Sequence, residues 1–279
     1  MALDWQDEKK GSDNHRPRKR FGQNFLTDNT IIDNIIRAIA PKKDDCLIEI
    51  GPGKGAITIP LLAHCPSLQV IELDRDLAAR LRNLQSQHPQ LQVHEADALT
   101  VNFLELAGVS SSNPLNMRIV GNLPYNISTP LLFHLLGFRQ SISDMHFMLQ
   151  KEVVDRLGAK QNSKSYGRLS VMVQYCAEVE ELFPVAPGSF SPPPKVNSAI
   201  VRLRPYAKLP HTADNEDLFA KLVTTCFQFR RKTLRNSLRK LVDDEIIASL
   251  NIDTSRRPEN LTVAEFVQLS NDLNRSETG

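Results

Sequence analysis

With 279 residues, 41% of them hydrophobic, the chain has enough apolar material for one large domain and a smaller one. Its uninterrupted apolar runs are too short to span a bilayer and its polar, charged amino-terminal stretch shows no secretory pattern, so a cytoplasmic protein is expected. The net charge of +2 hides local clustering, and neither the four cysteines nor the seven histidines fall at metal-ligand spacing, so no metal site is expected.

Residues 1–15 are polar and lack periodicity, which predicts a disordered tail. Arg16-Pro17-Arg18-Lys19-Arg20 is a dense basic run, read either as a solvated arm or as phosphate contacts through Arg18, Lys19 and Arg20. Phe21 to Leu26 crowds two aromatics and two amides together. It either packs onto a domain edge or folds Asn24 and the Leu26 backbone over a ligand. Thr27 or Asp28 can cap a helix with apolar positions Ile31, Ile32, Ile35, Ile36 and Ile39, ended by Pro41.

From Cys46 the pattern alternates. Strands are predicted near 46–50, 68–72, 91–94, 117–121 and 144–149, and helices near 55–64, 75–86, 101–107, 128–137 and 151–159. This is the rhythm of an α/β fold, a Rossmann-like open sheet covered by helices on both faces. Ligands in such sheets bind at the carboxyl ends of the strands. Gly51, Glu72, Asp97 and Asn122 all fall just after predicted strands.

The first strand runs into Gly51-Pro52-Gly53-Lys54-Gly55, where glycines let the backbone approach a ligand. Glu72 lies about 20 residues further on, where nucleotide-binding folds place an acid on the ribose hydroxyls. Both a dinucleotide and S-adenosylmethionine fit that much. Glu49 tips the balance, because a carboxylate inside the first strand can meet a cationic amino-acid end. Asp97 reads as an adenine acceptor or as a helix cap. Asn122-Leu123-Pro124-Tyr125 has the form found in enzymes that methylate the exocyclic amine of a base.

Beyond residue 160 a polar loop leads to a helix over 169–177 and a strand over 178–183. Pro187 to Lys195 is proline-rich and stiff, and its Phe190 is either a core plug or a platform for a flipped base. A last alternating strand covers 198–203. The remainder is helical. Phe229 to Lys240 reads as a basic helix whose six cations, Arg230, Arg231, Lys232, Arg235, Arg239 and Lys240, have no acid among them, which suits a polyphosphate partner. The expected organisation is the tail 1–15, an α/β domain over 16–206, and a small all-helical domain over 207–279; the resemblance described next implies that the first of these domains is a methyltransferase and the second binds RNA.

Taken together, Arg20 to Leu26, Glu49 to Gly53, Ile71 to Asp74, Gly121 to Ser128 and Phe190 to Val196 resemble the ribosomal RNA adenine dimethyltransferases, above all their small-subunit branch. The likeness runs from about Arg20 to about Lys240. It implies S-adenosyl-L-methionine as cofactor, held by Asn24, Leu26, Gly51, Gly53, Glu72, Asp97 and Asn122. It also implies N6,N6-dimethylation of two adjacent adenosines in a hairpin near the 3′ end of small-subunit ribosomal RNA, with a part in small-subunit biogenesis. The partner would be that RNA or the pre-30S particle, and a monomer is expected. In this reading Asn122 and Leu123 accept the amine's hydrogens, and Tyr125 and Phe190 offer faces to the base. Two competing readings are a methyltransferase for another adenine, and an assembly factor that grips RNA with catalysis secondary.

Overall fold

The computed structural model describes residues 24–108, 117–230 and 232–278. The expected tail 1–15, the arm residues Arg18, Lys19 and Arg20, and Arg231 lie outside the described residues. The described chain opens on β1 (Phe25–Leu26) and α1 (Asn29–Ile39). It then alternates β2 (Cys46–Ile50), α2 (Thr58–Leu62), β3 (Gln69–Glu72), α3 (Arg75–Leu84), β4 (Gln92–Glu95), α4 (Phe103–Leu106), β5 (Met117–Asn122), α5 (Ser128–Leu136), β6 (Ile142–Gln150) and α6 (Lys151–Leu157). After α7 (Arg168–Cys176) come β7 (Ala177–Val185), β8 (Phe190–Ser191) and β9 (Ser198–Pro205). Helices α8 (Glu216–Gln228), α9 (Leu234–Leu238), α10 (Asp244–Ser249) and α11 (Val263–Thr278) follow.

Seven strands form one sheet in the order β4-β3-β2-β5-β6-β9-β7. β2 pairs in parallel with β3 and β5, β3 with β4, and β5 with β6, whereas β9 runs antiparallel to both β6 and β7. The chain works outward from β2 to β4, then crosses back to β5. The order therefore reverses between β2 and β5, and a crevice opens there at the carboxyl ends of the strands.

Alternate strand residues separate the two apolar layers, as a period of two requires. Leu47, Val70, Val120, Met148 and Ile200 pack in one layer with α1 and α2. Ile48, Ile71, Ile119, Phe147 and Val201 pack in the other with α5, α6 and α7. The second layer continues without a break into Phe219, Leu222, Leu238 and Phe266 of the carboxyl-terminal helices. The helical segment is thus fused to the sheet through a shared core.

Two elements depart from expectation, and a cap left open between two residues is decided. The helix expected from residue 55 begins only at Thr58, because Gly55 has φ +87° and lies outside helical space. Asp28, not Thr27, caps α1, its Oδ1 accepting from the Thr30 and Ile31 amides. The basic helix expected over 229–240 is broken: α8 ends at Gln228 and only Leu234–Leu238 is helical again. Thr233 is extended, and the amides of Leu234 and Arg235 donate instead to the carbonyls of Arg256 and Thr254. Those outside acceptors fix where the new helix starts.

Candidate active site

The crevice between β2 and β5 is a cleft of about 1120 Å³, counted out to its open mouth. Its walls come from strand ends and the turns behind them. Asn24, Leu26, Gly51, Gly53, Glu72 and Asp97 line it, and so do Asn122, Leu123 and Tyr125. Of the expected catalytic and cofactor residues only Phe190 is absent. Phe190 is 4% exposed and packs among Leu26, Ile35 and Ile200, the placement of the core-plug reading. The cause is β8, which pairs with β1 and turns the ring inward: Leu26 lies opposite Phe190.

The glycine turn forms the floor. Gly51 and Gly53 have φ of +68° and +59°, a region costly for any residue with a Cβ. A Cβ at Gly51 would meet the Asn122 carbonyl at 3.5 Å, and one at Gly53 would press on the Phe25 ring at 3.2 Å. Gly121 is tighter still, with a Cβ there only 2.4 Å from the Ile50 carbonyl. β2 and β5 therefore approach each other at the crevice as bare backbone.

Two carboxylates stand at the rim and within it. Glu72 receives the Gly53 amide on one oxygen (3.1 Å) and the Asp74 amide on the other (2.9 Å). Those bonds pull its pKa down, but burial outweighs them and raises it. Each oxygen keeps a lone pair for a further donor. Glu49 is 1% exposed and accepts the Thr58 hydroxyl at 2.7 Å. Burial pushes its carboxyl up to about 8, with the nearby Glu72 adding to the rise. Asp97 is not the cap of α4, which is Asn102; its Oδ1 accepts the Leu99 amide at 2.9 Å in the preceding loop, and the residue lines the cleft.

Asn122 closes β5. Its Nδ2 donates to the Asn24 main-chain carbonyl at 3.2 Å, and among the described residues nothing donates to its Oδ1. The Leu123 amide donates to the Met148 carbonyl (3.2 Å), fixing the turn. Tyr125 is half-buried and its hydroxyl meets Ser198 Oγ at 3.0 Å, which holds the ring's orientation. Sequence reasoning missed three contributors to the cleft: the Phe25 ring against Gly53, Lys54 with its Nζ 5.0 Å above that ring, and Ser198 behind Tyr125. The crowding of aromatics around residue 25 was the available signal for the first.

The basic segment is more heavily paired than its own sequence suggests. Arg230 donates to Glu259 (2.7 Å) and to the Lys164 carbonyl (2.7 Å), tying the α8–α9 connection to the 160–167 loop. Arg235 and Arg239 share Asp244, and Lys232 is exposed. The balancing acids exist, but they come from α10 and from residue 259.

The model of the family described as "Ribosomal RNA adenine dimethylase" matches residues 14–275. The chain belongs to the ribosomal RNA adenine dimethylase family. It is an rRNA adenine dimethyltransferase. A "Ribosomal RNA small subunit methyltransferase A" of Saccharophagus degradans is 56% identical over 93% of this chain and 95% of its own length. One from Acinetobacter baylyi, bearing the same name, is 52% identical over 93% of each chain. Among solved structures, a dimethyladenosine transferase from Plasmodium falciparum superposes with a TM-score of 0.74, at 26% identity over 91% of this chain and 98% of the other. The 23S rRNA methyltransferase ErmE gives 0.66, at 26% identity over 90% and 100%. Among the described residues no helix is long and apolar enough to cross a membrane, and no side-chain cluster could hold a metal ion.

Proposed function

We propose that the cleft binds S-adenosyl-L-methionine beside an unstacked adenosine, and that the protein dimethylates N6 of two adjacent adenosines in a hairpin near the 3′ end of small-subunit ribosomal RNA. The residues fit that cofactor. The bare glycine turn leaves room against the backbone, and Glu72 keeps acceptor capacity for two ribose hydroxyls. Asp97 offers an acceptor to an adenine amine, and Glu49 is a buried carboxyl suited to an ammonium. When bound, the cofactor supplies an electrophilic methyl on a sulfonium.

One observation carries the reading: Asn122 stands at the crevice with its amide nitrogen engaged and its oxygen without a partner among the described residues. That oxygen and the Leu123 carbonyl accept the hydrogens of the target amine. Doing so draws the nitrogen toward tetrahedral geometry and exposes a lone pair otherwise spread into the ring. Tyr125, held by Ser198, stacks on the extruded base, a contact worth ~1–3 kcal/mol. The chain's task is alignment. No general base is assigned, and the proton leaves to water.

The fused helical segment, 207–279, is the RNA-binding part, with Lys232, Arg235 and Arg239 on its surface; Arg231, Arg18, Lys19 and Arg20, outside the described residues, are assigned to RNA from sequence alone. Arg230 acts internally. The protein acts as a monomer in this reading. The protein acts in the cytoplasm on the pre-30S particle, and methylation is its contribution to small-subunit biogenesis. The test is labelled methyl transfer to small subunits whose RNA is unmodified. Label is expected in two adjacent adenosines there, and none in subunits already modified or in large-subunit RNA. Label in large-subunit RNA alone would sink the assignment.

A further inference from the structure

We infer that the main-chain carbonyl of Asn24 is a positioning group for methyl transfer: it sets which atom of the Asn122 amide faces the target amine. The inference rests on the proposed reading of the cleft and adds a determinant that lies outside the Asn122–Tyr125 turn.

A planar primary amide presents an acceptor on one side and a donor on the other, and a half-turn about its last bond exchanges them. Asn122 at the end of β5 would otherwise show either side to the cleft. The Asn24 carbonyl can only accept. At 3.2 Å from Asn122 Nδ2 it selects the rotamer that turns the nitrogen toward β1 and the oxygen away from it. A target amine has hydrogens to give, so only that rotamer assists it.

The carbonyl is itself held firmly. Asn24 leads directly into β1, which pairs antiparallel with β8 (Phe25 opposite Ser191, Leu26 opposite Phe190). The Thr27 amide and hydroxyl both donate to the Ser189 carbonyl, at 2.9 and 3.3 Å. The Ser189 hydroxyl donates in turn to Asp28 Oδ2 at 3.1 Å, while Asp28 Oδ1 caps α1. The two-stranded ribbon is therefore a clip. Its function at the site is to keep one carbonyl at a fixed distance from one amide. A half-buried polar pairing of this kind specifies orientation more than it adds stability.

The same geometry explains why the residue is an asparagine. An ionised aspartate at 122 has no donor for the Asn24 carbonyl, and two oxygens would face each other across the gap. A protonated aspartic acid restores the arrangement, with its hydroxyl on Asn24 and its carbonyl on the amine.

The experiment is the pH profile of kcat, at saturating cofactor and RNA, for the wild type and Asn122→Asp. The variant is expected about 10²-fold below wild type near pH 8. It should then gain about tenfold for each pH unit lowered, until its carboxyl is protonated. A variant with the wild-type rate and a flat profile overturns the inference. The clip is tested by a double-mutant cycle with Ser189→Ala, a residue outside the cleft. Its severalfold loss of kcat in the wild-type background should vanish in the Asn122→Ala background, and additive losses overturn the inference. Hydrogen exchange of the Asn122 side-chain amide, followed by NMR in the protein alone, needs no substrate. Protection in the wild type that Ser189→Ala relaxes is the expected result, and an unprotected wild-type amide overturns the inference. If the wild type transfers no methyl to any RNA while that amide is protected, the functional reading has failed and the positioning contact has not.

Discussion

β5 has two ends with opposite chemistry. At its start Arg118 reaches Asp144 (3.0 Å) and Asp45 (2.7 Å), and it also donates to the carbonyls of Ile39 (2.6 Å) and Ala40 (3.4 Å) at the end of α1. At the other end Asn122 has its nitrogen paired and, among the described residues, no partner for its oxygen. The Arg118 guanidinium and both its carboxylates are largely buried: against that burial Arg118 is raised by Asp144 and Asp45, and Asp144 is lowered by His146 and Arg118. The glycines at positive φ and the buried Glu49 lie at the open end. One rim of the sheet is saturated and supports the fold. The other carries the groups assigned above, as a proposal, to cofactor and base.

Substitutions four positions apart on this strand should separate the two roles. Asn122→Ala is expected to lower kcat by about 10²-fold or more while the melting temperature and RNA affinity stay near wild type. A variant that transferred methyl groups at the normal rate would remove Asn122 from the chemistry. Arg118→Ala should do the reverse. It strands two buried carboxylates at a cost of about 3 kcal/mol, which lowers Tm by roughly 5–10 °C. Transfer per folded molecule should stay within about twofold. A large fall in rate from Arg118→Ala with no change in Tm would mean that the two rims are not distinct.

Glu49 sharpens the comparison because it is a carboxylate placed where its charge is unwelcome until a ligand arrives. Its folded pKa is raised, to about 8, so the stability it contributes is full below its unfolded value near 4.5 and is lost as pH rises through about 8. Glu49→Gln should flatten that decline. Cofactor binding by the wild type near pH 7 should release close to one proton, as the bound ammonium favours the carboxylate. The variant should release none and bind about tenfold more weakly. Calorimetry in buffers of different ionisation enthalpy measures the proton count, and equal release by both proteins would take Glu49 out of the site.

The open rim was legible in sequence because its chemistry is local. Strand ends, glycines and the acid after Ile71 are fixed by short-range pattern, and the structure brings Gly51, Glu72, Asp97 and Asn122 into one cleft. What escaped notice depends on partners distant in the chain. The insertion of β9 between β6 and β7, the inward turn of Phe190 against β1, and the Asn24–Asn122 bond all join segments that no periodicity connects. The broken basic helix is the same lesson, since its new start is set by carbonyls more than 15 residues downstream, at Thr254 and Arg256.

The smallest effect is expected on the surface of the helical segment. Asp244 accepts from Arg239 Nε at 3.0 Å and lies 3.3 Å from Arg235 Nη2, so in the proposed RNA-binding role it would compete with phosphate for both arginines. All three groups are exposed, and the ion pairs contribute little to folding. Asp244→Asn should therefore leave Tm unchanged, tighten RNA binding severalfold at low salt, and steepen the slope of log K against log salt by about one unit. Replacing Arg235 and Arg239 by glutamine should flatten that slope instead, and in that background Asp244→Asn should do nothing. If Asp244→Asn leaves both affinity and slope untouched, α9 does not face the RNA, and the electrostatic contact must be sought on the amino-terminal arm.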